Sequence, residues 1–204
     1  MADWLEIHNL EFSYRGEPVI RGLGCRFPER GIVICSGPSG VGKSTLGLLL
    51  TGHLIPSRGK VLLDGNPITG PSRRAIMVSQ DDDLFPWMKM GVQLDFCAAF
   101  PGTLTAWRPL AARLGLEGSE GLYPKEMSGG MRKRLGLLRA TLLRPRLLVL
   151  DETLGSVEPE LRERILGDFE GLWRELEIGV LLISHDQSAS MLARAHGELV
   201  LRKP

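Results

Sequence analysis

The stretch Gly37-Pro38-Ser39-Gly40-Val41-Gly42-Lys43-Ser44-Thr45 fits the pattern G-x-x-x-x-G-K-[ST]. That spacing suits a loop that wraps a phosphate chain. Glycines let backbone N–H groups turn inward, where a Cβ would block the turn or the approach. Lys43 supplies a point charge for terminal phosphates, and the Ser44 hydroxyl can coordinate Mg²⁺. The chemistry implied is nucleoside triphosphate binding, with Gly37, Pro38, Ser39, Gly40, Val41, Gly42, Lys43, Ser44 and Thr45 as the contact residues.

Two further groups add to it. Leu147-Leu148-Val149-Leu150-Asp151-Glu152 is an apolar run ending in two acids. In an α/β sheet, ligands collect beyond the carboxyl ends of the strands, so both acids are expected beside the phosphate loop. Asp151 is suited to holding Mg²⁺, and Glu152 to orienting or deprotonating an attacking water. Met127-Ser128-Gly129-Gly130-Met131 precedes a basic, leucine-rich segment. Ser128 is a good N-cap, and the helix that it opens would point free N–H groups at an anion. By itself this segment reads equally as an ordinary Ser-Gly-Gly loop.

The elements that must position these groups follow from periodicity. Residues 4 to 35 read as strands, with a turn at Arg15-Gly16-Glu17-Pro18. Ile32-Val33-Ile34-Cys35 is a buried strand running into the phosphate loop, and Leu46-Gly47-Leu48-Leu49-Leu50 is the helix after it. Strands are expected at Lys60–Gly65, Ala75–Ser79, Leu147–Leu150 and Gly179–Ile183, and helices from about Asp83 to Leu143. Pro159 is placed to begin an amphipathic crossover helix carrying Leu161, Ile165, Leu172 and Leu176 on one face. The fold class is α/β: a mainly parallel sheet with crossover helices, an antiparallel β portion before it and a helical insertion within it.

The 204 residues suffice for one domain with a proper core. A formal net charge of +1 gives no field toward nucleic acid or anionic lipid. Cys25, Cys35 and Cys97 have no metal-like spacing and are expected as reduced thiols in a cytosolic protein. No apolar run approaches the roughly 18 residues of a membrane span, and the start Met1-Ala2-Asp3-Trp4 is not expected to be a secretion signal.

Together the motifs resemble the ATP-binding cassette ATPases, the nucleotide-binding subunits of ABC transporters, over nearly the whole chain. In that family a signature close to Leu-Ser-Gly-Gly-Gln stands about twenty residues before the acidic strand, as Met127 to Met131 does here. Tyr14 matches the aromatic that stacks on adenine. Gln80 matches the glutamine at the Mg²⁺ that faces the membrane subunit, and His185 the switch histidine at the γ-phosphate. Gly155-Ser156-Val157-Glu158 corresponds to the loop that crosses the dimer interface.

The resemblance implies a P-loop NTPase (RecA-like) fold in a single cassette domain. Residues 1–82 and 144–204 would form the nucleotide-binding core, and 83–143 a helical subdomain. It implies ATP and Mg²⁺ as cofactors, with Lys43, Glu152 and His185 catalytic and Ser44, Gln80 and Asp151 at the metal. Ser128, Gly129 and Gly130 would meet the ATP held by a second cassette in a head-to-tail homodimer or heterodimer. The partners would be permease subunits at the cytoplasmic face of the membrane, met through the region of Gln80, Phe85, Pro86, Trp87 and Met88.

Met131 and the Leu84-Phe85-Pro86-Trp87 run are similar to the branch importing nitrate, sulfonates, taurine or related solutes. Thr153 stands where the family usually has proline, and Glu158 where it usually has aspartate. No regulatory domain is expected after Pro204. A soluble family member acting in DNA repair or translation is the alternative. Such chains carry coiled-coil arms or two cassettes, and no sign of either is found in the sequence. A small GTPase fits poorly, for lack of an Asn-Lys-x-Asp segment.

Overall fold

The computed structural model describes residues 3–79, 84–155, 157–184 and 189–203. Strands β1 (Leu5–Tyr14) and β2 (Glu17–Phe27) form a hairpin, and β3 (Ile32–Ser36) leads to helix α1 (Lys43–Leu50). Then come β4 (Arg58–Leu63), β5 (Asn66–Pro67) and β6 (Ala75–Val78), followed by helices α2 (Met90–Ala98), α3 (Trp107–Arg113) and α4 (Gly129–Leu142). The chain returns through β7 (Leu147–Asp151), α5 (Pro159–Glu175), β8 (Gly179–Ile183), α6 (Ala189–Arg194) and β9 (Ala195–Val200).

Two sheets result. One is antiparallel in the order β2-β1-β4-β5, and the other has the order β6-β7-β8-β3-β9. Every pairing in the second sheet is parallel. The β1–β2 turn takes only Arg15 and Gly16, both at positive φ (49° and 88°), the backbone of a two-residue hairpin that matches strand twist. Glu17 and Pro18, expected in the turn, belong to β2 instead. A proline is tolerated there because β2 is an edge strand.

The parallel sheet is buried on both faces, which is why its strands read as unbroken apolar runs. Ile34, Leu148, Leu150, Val180 and Leu182 join one core, packed by α2, α4 and α5 through Leu94, Leu135, Leu138, Ile165 and Phe169. Val33, Cys35, Leu147, Val149, Leu181 and Ile183 join the other, against α1 and the antiparallel sheet. The alternation follows from the two-residue period of a strand, and each fully buried side chain of this size contributes about 1.5–3 kcal/mol.

Within α5, Ile165 and Leu172 are buried as expected, Leu161 and Leu176 are partly buried, and Phe169 and Trp173 complete the face. All three cysteines are free; Cys35 and Cys97 are buried and Cys25 is half-buried. Burial pushes the thiols of Cys25 and Cys35 up to about 11 and about 12, which leaves them inert near neutral pH. Among the described residues, no helix is long and apolar enough to cross a membrane.

Candidate nucleotide site

The site is built at the carboxyl ends of three adjacent strands. Asp151 of β7 pairs with Ile183 of β8, and Ile183 pairs with Cys35 of β3, so the three share one rung. The chain leaves each strand at the same edge: into the phosphate loop after Ser36, into Glu152 after Asp151, and into Ser184 after Ile183. Backbone bonds lock the exits together, Glu152 N–H donating to the Ile183 carbonyl at 3.1 Å and Ser184 N–H to that of Cys35 at 3.3 Å.

The phosphate loop is shaped by its glycines and by what lies behind them. Gly37 has φ +147°, and a Cβ there would lie 2.6 Å from the Leu201 carbonyl oxygen. Gly42, at φ +104°, is the N-cap of α1 and offers no side-chain cap to the helix. The first N–H groups of α1 thus remain open to an anion, with the positive end of the helix dipole behind them. Pro38, Ser39, Gly40 and Ser44 are exposed along the loop, while Val41 and Thr45 are buried and anchor it.

Lys43 is buried, and its Nζ donates to the carbonyls of Gly37 at 2.9 Å and Pro38 at 3.0 Å. These neutral acceptors hold the ammonium without cancelling its charge. Asp151 Oδ1 is buried with no hydrogen-bond partner, and the Ser44 hydroxyl stands beside the carboxylate and favours its charged form. Burial, with the neighbouring charge of Glu152, raises the Asp151 pKa; the Ser44 hydroxyl and Lys43 work against that rise. An orphaned carboxylate oxygen beside a hydroxyl is a fit for a hard cation. Among the described residues no cluster of three His, Cys, Asp or Glu could cage a metal unaided. Mg²⁺ typically takes one or two protein oxygens and completes its shell with water and substrate phosphates.

Glu152 follows at φ +47°, a conformation that side-chain-bearing residues seldom adopt. Beside it Thr153 is buried, its Oγ1 donating to the Val78 carbonyl at 2.8 Å. The sequence marks Thr153 as a departure from the family pattern but does not reveal this bond.

Tyr14 ends β1 with its ring half exposed and edge-on to Phe12, the centroids 4.9 Å apart. Its hairpin reaches the loop through Val19, which packs against Gly42. Ser128 caps α4, its Oγ accepting from Met131 N–H at 3.2 Å, and Ser128 and Gly129 are exposed. With Gly130, which is partly buried against Leu161, they stand at the start of a separate helix from the phosphate loop. Gln80, Ser156 and His185 lie outside the described residues.

A second surface feature follows the first. Phe85, Trp87, Phe96 and Phe100 form a chain of ring contacts with centroids 5.3–6.3 Å apart, and Trp87 is 72% exposed. The fully buried Gln93 shapes the loop that presents them. It accepts from Phe85 N–H and donates to the carbonyls of Phe85 at 3.1 Å and Met88 at 2.9 Å. At the opposite, amino-terminal ends of the parallel strands lies a cavity of about 360 Å³ lined by Trp4, Arg30, Trp173 and His196. Ligands of parallel sheets collect at the carboxyl ends, so the phosphate loop and not this cavity is the candidate site.

A profile described as ABC transporter matches residues 20–155. The chain belongs to the ABC transporter family. Within it, the chain is 35% identical over 206 aligned positions to the taurine import ATP-binding protein TauB of Yersinia pestis bv. Antiqua (strain Antiqua), covering 98% of this chain and 80% of that one. Two solved structures share the fold. CbiO1 of Clostridium perfringens, part of the ABC transporter complex CbiONQ, superposes with a TM-score of 0.81 at 24% identity, over 91% of this chain and 80% of the other. The ADP conformation of MJ1267, an ATP-binding cassette of an ABC transporter, gives 0.86 at 21% identity, over 98% and 88%. This ABC protein is an ATP-binding subunit and an ATPase, with ATP and Mg²⁺ as its cofactors.

Proposed function

We propose that the chain powers uptake of a small organic sulfonate, the class to which taurine belongs, through a separate membrane permease. The observation that carries the chemistry is the convergence at one sheet edge of Lys43, Ser44 and the orphaned Asp151 Oδ1. The direction and solute class rest on the likeness to the taurine import protein.

In this reading the α1 N–H groups and Lys43 bind the β- and γ-phosphates, and Tyr14 stacks on the adenine. Mg²⁺, held by Ser44, Asp151 and Gln80, supplies charge neutralisation on the transferred phosphoryl group. Glu152 holds the attacking water in line and accepts its proton, while His185 contacts the γ-phosphate. Ser128, Gly129 and Gly130 of a second copy close over the nucleotide, their helix N-terminus opposing negative charge. ATP favours the closed dimer by its differential affinity, and hydrolysis releases it. The permease, at the cytoplasmic face of the membrane, meets the helical part of the single cassette domain. The ring chain at Phe85, Trp87, Phe96 and Phe100 suits such a partner surface.

The test is the solution mass of Glu152→Gln by light scattering, with and without ATP. A monomer that becomes a dimer only with ATP is expected. A variant that still turns over ATP at the wild-type rate would remove Glu152 from the chemistry.

A further inference from the structure

We infer that Thr153 is a positioning residue, whose hydroxyl ties the Asp151–Glu152 corner to the strand that leads into Gln80. Thr153 is 1% exposed, and its Oγ1 donates to the Val78 carbonyl at 2.8 Å. Val78 and Leu150 form the last registered pair between β6 and β7. The hydroxyl therefore adds one side-chain rung just past the end of the backbone ladder.

That rung bears on Glu152 because Glu152 is strained. Its φ of +47° is held against a conformational preference for negative values. On the β8 side its N–H is fixed to Ile183, and its carbonyl accepts from Gly155 N–H at 2.9 Å. On the β6 side the tether is the hydroxyl of the next residue. Removing that donor takes the side-chain bond away from the Val78 carbonyl and lets the corner relax, swinging the Glu152 carboxylate away from its place. Gln80 follows Val78 by two residues in the sequence, and a displacement of the end of β6 is passed by this hydrogen bond to the residue beside Glu152. Proline, the usual residue here in the family, has no donor to offer. This tether is a property of this chain, and it rests on the reading of Glu152 as the residue that prepares the water.

The experiment uses the full chain with Thr153→Val, which keeps shape and loses the donor, and Thr153→Ser, which keeps the donor. Amide exchange is followed without nucleotide, and kcat and KM for ATP are measured alongside. In Thr153→Val, exchange at Glu152 and Gly155 should quicken and kcat should fall, each about tenfold, with KM within about twofold of wild type. Thr153→Ser should restore both. Wild-type exchange and kcat in Thr153→Val would overturn the inference. So would faster exchange throughout β6 and β7 with loss of ATP binding and no rescue by serine. Loss of turnover in Glu152→Gln beside a wild-type Thr153→Val would remove this inference alone. Retained turnover in Glu152→Gln would bring down the reading of Glu152, and the inference with it.

Discussion

Val19 Cγ1 lies 2.7 Å from where a Cβ on Gly42 would stand. The antiparallel hairpin thus fills the space behind the phosphate loop, and Gly42 is constrained twice, by φ +104° and by that contact. In Gly42→Ala the loop must give up its shape or push β2 aside, at a cost on the order of 1–3 kcal/mol. ATP affinity, read by titration with a fluorescent analogue, should fall about 10- to 100-fold. Thermal stability without nucleotide should change less, because the loop can give up its shape at Gly42 while Val41 and Thr45 keep it anchored to the core. Equal losses of stability and affinity would mean that the contact is only structural.

The exposed rings lead to a different outcome. Trp87 is presented by a loop that Gln93 holds from beneath, so Trp87→Ala removes a surface ring and leaves the scaffold intact. ATPase of the isolated chain should stay within about twofold of wild type, since Trp87 is largely exposed and its ring meets Phe85. Stimulation of ATPase by the permease in proteoliposomes should fall about tenfold or more, as for an anchor residue in an interface. Loss of folding and basal ATPase together would rule out docking. Gln93→Ala should mimic the uncoupling with an added loss of stability, because it strips partners from three part-buried backbone groups.

What the sequence discloses and what it hides follow one physical line. The phosphate loop is legible because its contacts lie within a few residues of each other, from Gly37 to Thr45. The buried strands are legible because a sheet covered on both faces needs unbroken apolar runs such as Leu147–Leu150. The Thr153–Val78 bond spans 75 positions, and nothing local in either residue announces it. The Val19–Gly42 contact and the grip of Gln93 on its loop are equally non-local. Strand β9, Ala195–Val200, escaped the reading because it lies at a sheet edge with half of its residues exposed. Its side chains do alternate, but Ala and Gly at two of the inward positions leave only Leu199 as a large buried residue, too weak a signal to mark a strand.

Stability should depend on pH through Asp64. Burial raises its pKa, but bonds from Arg146 (2.8 Å to Oδ2) and Arg30 outweigh this and hold the carboxyl below the ordinary range. A depressed folded pKa gives stability that is fully present above the unfolded value, about 3.9, and is lost as pH falls through the folded one. The network joins β4 to the turns before β3 and β7, and it is partly solvated, so Asp64→Asn should cost about 1 kcal/mol at pH 7. Melting should drop by about 2–4 °C. The gap between variant and wild type should close below about pH 4, as the wild-type carboxyl itself takes up a proton. A gap that does not begin to narrow as pH falls below about 4 would show that the loss comes from packing and not from charge.

Glu158 offers a gain instead of a loss. It is the N-cap of α5, with Pro159 at the first helical position, and its side chain makes no capping bond. Glutamate is one methylene too long to reach back to the second or third helical N–H, whereas aspartate is among the preferred caps. Glu158→Asp should therefore stabilise the chain by about 0.5–1 kcal/mol, read as a rise in melting temperature. If this loop crosses between copies as proposed, the same change should also lower the ATP concentration needed to dimerise the Glu152→Gln background. Thermal melts and light scattering separate the two effects. A higher melting temperature without tighter dimerisation would confine Glu158 to capping, and tighter dimerisation at unchanged stability would place its effect wholly at the interface between copies.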